Sequence, residues 1–205
     1  SFTVYKHDRF DSSSISNNFV TSLFVDSKGN IWAGTSGGLN LLLPDQKNFK
    51  RYVSNPSIKN SLSDNVINAI AEDSAGYLWI GTQNGGINRL NVATGEITVY
   101  KNIPSDSLSL SGNCVRTLFV DGKNNLWIGT DGKGLNLFDR KSNSFVTYKF
   151  NPLNSKSLSF NSVFQIEALD KDRLLVASFG GGINILDTRT GEFDHSLIHP
   201  EDRDA

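Results

Sequence analysis

Three histidines, His7, His195 and His199, are the side chains best suited to hold a metal ion. His195 and His199 are four residues apart and could bring two imidazoles to one zinc, but they fall in a strand and tail with no third ligand nearby. They read as surface histidines. Asp170-Lys171-Asp172 is acidic but lacks the glycine and distal glutamate of a calcium loop, so it reads as a solvated turn. Gly132-Lys133-Gly134 and Gly180-Gly181-Gly182 could offer backbone amides to a phosphate. Neither has the Walker spacing nor opens a helix, and both read as turns. Glycoside hydrolysis usually needs two placed carboxylates. Asp26, Asp73 and Asp121 recur at matching places in the chain, which suits scaffold better than catalysis. Glu167 does not recur, and it has no assignable partner. The reading assigns no catalytic group, no metal and no cofactor.

The recurrence itself is the larger signal. Trp32-Ala33-Gly34-Thr35, Trp79-Ile80-Gly81-Thr82 and Trp127-Ile128-Gly129-Thr130 are followed by a weaker copy, Leu175-Val176-Ala177-Ser178, at spacings of 47, 48 and 48 residues. Upstream of each lies Ser14-Ile15-Ser16, Ser61-Leu62-Ser63, Ser109-Leu110-Ser111 or Ser157-Leu158-Ser159. Two residues later come Asn18, Asn65, Asn113 and Asn161. Downstream each copy has a glycine followed by Leu39-Asn40, Ile87-Asn88, Leu135-Asn136 or Ile183-Asn184.

Each copy reads as four strands. In the first these are Phe19 to Val25, Ile31 to Thr35, about Gly38 to Leu43, and Asn48 to Val53, joined by Gly, Pro, Asn and Asp turns. Gly29, Gly76 and Asn124 supply a residue that accepts positive φ in the first turn, where the fourth copy has Asp172. No stretch shows sustained helical periodicity. The fold class is therefore all-β: four four-stranded antiparallel blades of a β-propeller, at about 14–53, 61–100, 109–148 and 157–198, followed by a tail at 199–205. Trp32 and its neighbours Val20, Leu23 and Phe24 are expected between blades, and Asn40, Asn88, Asn136 and Asn184 are expected to bond backbone. Phe2-Thr3-Val4-Tyr5 matches the last strand of a repeat, so residues 1–5 are expected to be the last strand of a preceding blade.

Composition fits this reading. The 205 residues carry a formal charge of −1 with no basic patch, which disfavours nucleic acid as a partner. No apolar run approaches the ~20 residues needed to cross a bilayer as a helix. The absence of Met suggests a segment of a longer protein, and the lone Cys114 cannot form an internal disulfide.

The motif Asp73-Ser74-Ala75-Gly76-Tyr77-Leu78-Trp79-Ile80-Gly81-Thr82, with the Gly-Gly-Leu-Asn and Phe-x-x-Tyr strings, resembles the two-component regulator propeller repeat. The resemblance is specific in three copies and weakens in the fourth, at Leu175 and Ala177. It implies the periplasmic sensor region of a hybrid histidine kinase that responds to carbohydrate fragments and signals to cytoplasmic kinase modules. Two alternatives are a propeller lyase or glycan hydrolase, since the Trp-x-Gly pattern is similar to that of virginiamycin B lyases, and a non-catalytic protein-interaction propeller. The turn Asp73-x-x-Gly76 also resembles the sialidase Asp-box, with one residue more between Asp and Gly.

The long connections between blades, such as Ser54 to Asp64, are expected at the same end as the second turn of each blade. Positions there that differ between copies are the recognition candidates: Gln83, Asn84, Asp131, Lys133 and Phe179. One column early in the first strand carries Thr21, Asn68, Arg116 and Phe164, and of these Arg116 and Phe164 join the candidates. Aromatic faces beside amide and charged groups suit a sugar. Four stacked blades would leave an apolar face at each end, so a homodimer formed by head-to-tail blade pairing is expected as well.

Overall fold

The computed structural model describes residues 2–195, and among them there is no helix. Sixteen strands form four antiparallel sheets, each in simple meander order. The first holds β1 (Val20–Val25), β2 (Ile31–Thr35), β3 (Gly38–Leu42) and β4 (Phe49–Tyr52); the second β5 (Ile67–Glu72), β6 (Tyr77–Thr82), β7 (Ile87–Asn91) and β8 (Ile97–Tyr100). The third holds β9 (Val115–Val120), β10 (Leu126–Thr130), β11 (Gly134–Asp139) and β12 (Ser144–Tyr148); the fourth β13 (Val163–Ala168), β14 (Arg173–Ser178), β15 (Gly182–Asp187) and β16 (Glu192–Asp194). These are the expected propeller blades. The end of the expected fourth blade and the whole 199–205 tail, His199 included, lie outside the described residues.

The chain divides into two compact units, residues 1–101 with 113–115, and residues 102–112 with the chain from 116 onward. In the first unit, Trp32 and Leu39 pack against Ile67, Leu78, Ile80 and Leu90, with Leu62 from the connecting loop. In the second, Trp127 and Leu135 pack against Val163, Ile166, Leu174 and Val176, with Leu158 in the place of Leu62. A meander sheet has two apolar faces, and stacking a second sheet on one of them removes both partners' side chains from water.

The repeated polar residues hold this scaffold. Asp26, Asp73 and Asp121 each accept a hydrogen bond from the indole Nε1 of the tryptophan six residues on, at 2.9, 2.8 and 2.9 Å. The same carboxylates accept backbone amides of their own turn, which passes through positive φ at Gly29, Gly76 and Asn124. Burial pushes the Asp121 carboxyl up, but the bonds from Trp127 and Asn125 outweigh it and leave it below the usual carboxylate range. The fourth copy has Leu169 and Leu175 at these two positions, so acceptor and donor are lost together and neither is stranded. Its turn is rebuilt around Asp170, which accepts the amides of Asp172 and Arg173. Asn40, Asn88, Asn136 and Asn184 are fully buried and accept the amides of Ser16, Ser63, Ser111 and Ser159, tying each loop to its own blade.

Two expectations need correction. Residues 2–5 form no strand; Tyr5 instead packs edge-on against Phe49 at 5.3 Å and donates to the carbonyl of Gln46. The strand-like alternation is there, but a strand exists only where a neighbouring ladder accepts it. Val20 and Leu23 are 45% and 73% exposed, although Ile67 and Val163, the counterparts of Val20, are fully buried. Their side of the first sheet meets solvent, whereas Trp32 faces the second sheet.

Candidate functional site

The ladder between the first two strands of a blade breaks at one recurring place. Val20 pairs with Thr35 and Ser22 with Gly34, which leaves Thr21 as an extra residue. The same bulge leaves out Asn68 in β5 and Phe164 in β13. Arg116 holds the matching column of β9. A bulge bends its strand and re-aims the unpaired side chain, and bulges are over-represented beside functional sites. The column singled out by its variability is therefore also set apart by backbone geometry.

Gly34 and Gly81 lie opposite the bulges of β1 and β5, and Gly129 holds the same place in the sequence of β10. A Cβ on Gly34 would sit 2.7 Å from Ile67, one on Gly81 2.6 Å from Val115, and one on Gly129 2.7 Å from Val163. The glycine of the Trp-x-Gly-Thr string thus lets the β-branched residue that precedes the next bulge rest directly on the backbone. Ala177 replaces it in the fourth sheet, where Ile183 is 46% exposed although Leu39, Ile87 and Leu135 are fully buried.

In the first unit the bulged side chains bridge to backbone. Thr21 Oγ1 donates to the carbonyls of Gly34 and Ile67. Asn68 Nδ2 donates to the carbonyl of Val115 at 2.8 Å and to Gln83 Oε1 at 3.0 Å. In the second unit Arg116 gives Nη2 and Nε to Asp131 Oδ2, at 2.6 and 3.2 Å. Asp131 Oδ1 accepts from Ser162 Oγ at 2.9 Å. The Arg116 and Ser162 bonds hold the Asp131 carboxyl below the usual carboxylate range. The Arg116 guanidinium lies 5.2 Å from the centre of the Phe164 ring. Phe164 in turn lies beside Phe179, centres 5.6 Å apart and planes tilted by 31°. Phe164 is 42% exposed and Phe179 70%.

Four of the seven predicted residues, Arg116, Asp131, Phe164 and Phe179, therefore form one contiguous cluster. Gln83 belongs to the separate pair with Asn68. Asn84 sits in a turn whose amide is capped by Asp64 Oδ2 at 2.8 Å, and Lys133 lies with its methylenes against Gly112. These contacts also put the second turn of each blade against the long connecting loop, at one end, as expected. Glu167 accepts from Gln165 Nε2, and His195 bonds the Ser157 carbonyl. Ser162 was missed. Its column reads Phe19, Val66, Cys114 and Ser162, and the one hydroxyl among apolar residues and a thiol was the available signal.

Residues 14–37, 61–84 and 109–132 match the two component regulator propeller family. The first three blades thus carry this family's repeat. The matched stretches run from the Ser-x-Ser string through the first strand to the second turn of each of the first three blades. A solved structure similar to this propeller is the extracellular domain named for a hybrid two component system of B. thetaiotaomicron, 27% identical, with a TM-score of 0.78 over 90% of this chain and 25% of that one. A second extracellular domain so named from B. thetaiotaomicron is 22% identical, with a TM-score of 0.52 over 87% of this chain and 30% of that one. Virginiamycin B lyase from Staphylococcus aureus shares the fold at 21% identity, with a TM-score of 0.63 over 85% of this chain and 54% of that one. The propeller described here thus spans about a quarter of the first of these structures. No curated protein matches the sequence.

Proposed function

We propose that this propeller is part of the extracytoplasmic sensor of a hybrid two-component system and recognises carbohydrate fragments at the Arg116–Asp131–Phe164–Phe179 cluster, with signalling passed to kinase modules across the membrane. The observation that carries the reading is the change of use of the bulge column. Thr21 and Asn68 bridge to backbone, while Arg116 and Phe164 build an exposed aromatic platform beside a fixed donor–acceptor pair. A pyranose ring offers an apolar face of C–H groups and an edge of hydroxyls. The first can lie on Phe164 and Phe179, and the second can accept from Arg116 and donate to Asp131. Calorimetric titration with a panel of oligosaccharides tests this. Binding without turnover is the expected result; a bound glycan that is cleaved supports a propeller lyase or hydrolase instead, and no binding across the panel overturns the carbohydrate reading.

The exposed apolar residues of the first sheet, Val20, Leu23, Val25 and Ile31, support a further part of the proposal, head-to-tail pairing of two copies through blade faces. Sedimentation is expected to show a dimer that Leu23→Asp dissociates. A monodisperse 22.5 kDa monomer at high micromolar concentration would contradict the pairing.

A further inference from the structure

We infer that the Arg116–Asp131 pair makes this site select uncharged sugars over sugars that carry a carboxylate, with Asp131 as the specificity-determining residue. The inference rests on the carbohydrate reading above and adds the charge class of the ligand.

An arginine on an aromatic platform would ordinarily suit an acidic ligand, because a guanidinium pairs with a carboxylate. Here two of its nitrogens already point at Asp131 Oδ2. Asp131 is not a counter-ion that can swing aside. Its other oxygen is held by Ser162 Oγ, and Ser162 is buried on the backbone leading into β13. A uronic acid approaching Arg116 would bring its own carboxylate beside that fixed one, and like charges placed together weaken binding steeply. A neutral hydroxyl meets no such penalty: it can donate to Asp131 and accept from the guanidinium.

The neighbouring copies support the assignment. At the same two columns, Asn68 and Gln83 form an uncharged donor–acceptor pair, and Phe164 and Phe179 an apolar one. Each pair of bulge and turn residues is thus neutral as a unit, and Arg116–Asp131 keeps that balance with ionised groups. Lys133 is a second cation in the Asp131 turn, but its stem is laid along Gly112. A Lys133→Gln variant separates its charge from that of Arg116.

The test uses matched probes that differ only at C6: galactotetraose against tetragalacturonate, and cellotetraose against its uronate counterpart. Binding is measured by calorimetry at low salt, where charge effects are least screened. In the wild-type protein at least one neutral probe is expected to bind about tenfold or more tighter than its uronate partner, a difference near the 1.4 kcal/mol that separates decades of affinity. Asp131→Asn keeps the shape and leaves Arg116 unneutralised, and it should shift that ratio about tenfold or more toward the uronate. Ser162→Ala, which only loosens Asp131, should shift it the same way by less, and it serves if the Asp131 variant does not fold. Wild-type protein that binds the uronate equally or more tightly overturns the inference alone, as does a ratio unmoved in both variants. Binding of neither member of any pair counts against the carbohydrate reading and overturns the inference with it.

Discussion

The Thr21 and Asn68 positions of the first unit and the Arg116 and Phe164 positions of the second share one column of the repeat and are used in opposite ways. The first two donate to backbone carbonyls of the following first strand, those of Ile67 and Val115, and Asn68 also reaches Gln83 in its own second turn. The second two turn to their own blade's second turn and stay partly in solvent. Replacing a partly buried hydrogen bond by an exposed phenylalanine gains nothing for folding, so the difference supports the proposed recognition role. Residues that recur hold the blade, and in the proposed function the varying, partly exposed Arg116 and Phe164 are the members of this column that meet a ligand.

The largest effect should come from the scaffold side. Trp79→Ala removes a fully buried indole that lies 5.8 Å from the Tyr100 ring and should cost about 3–5 kcal/mol in denaturant unfolding. Leu175→Ala, at the half-buried matching position of the fourth sheet, should cost clearly less. Equal losses would mean that the fourth copy is held as the other three are.

A smaller contrast concerns the glycine column. Gly129→Ala would press a methyl to 2.5 Å from Thr117 Cγ2 and 2.7 Å from Val163 Cγ1, an overpacking cost of about 1–3 kcal/mol. The reverse change, Ala177→Gly, should cost only about 0.5–1 kcal/mol from backbone entropy. A tolerated Gly129→Ala would show that close approach of Val163 is not what the glycine serves.

The strands and most of the scaffold were legible in the sequence because a β-meander announces itself by turn residues and apolar runs, and four copies average out the noise. The predicted strands of the first blade, 19–25, 31–35, 38–43 and 48–53, differ from β1–β4 by at most one residue at each end. The bulge was not legible. A single extra residue does not alter composition, and only pairing with the opposite strand shows that Thr21, Asn68 and Phe164 stand outside the ladder. The partnerships of the column followed the same limit: Arg116, Asp131, Phe164 and Phe179 could each be named, but not that Ser162 fixes the carboxylate. Residues 2–5 were misread because side-chain type carries no information on whether a ladder partner is present.

Acid sharpens the comparison between the three blades that have the Asp–Trp bond and the one that lacks it. The Asp121 carboxyl is lowered in the folded state, so its contribution is present above the unfolded value of about 3.9 and is lost as pH falls through the folded value. Asp121→Asn can still accept from the Trp127 indole but cannot titrate. Its unfolding midpoint should therefore fall less than that of the wild-type protein between pH 6 and pH 3, and parallel curves would remove Asp121 from the acid transition.

The most direct test of the central claim compares the two uses of the bulge column in one binding experiment. The oligosaccharide that binds the wild-type protein best is titrated into a Phe164→Ala/Phe179→Ala double variant and into Asn68→Ala. Because Phe164 and Phe179 are exposed, the double variant should remain folded, with stability changed by no more than about 1 kcal/mol, while its affinity falls about tenfold or more. Asn68→Ala should show the reverse, a loss of stability of about 1 kcal/mol with unchanged affinity. A double variant that binds as the wild-type protein does, or an Asn68→Ala variant that alone loses the sugar, would contradict the placement of the site.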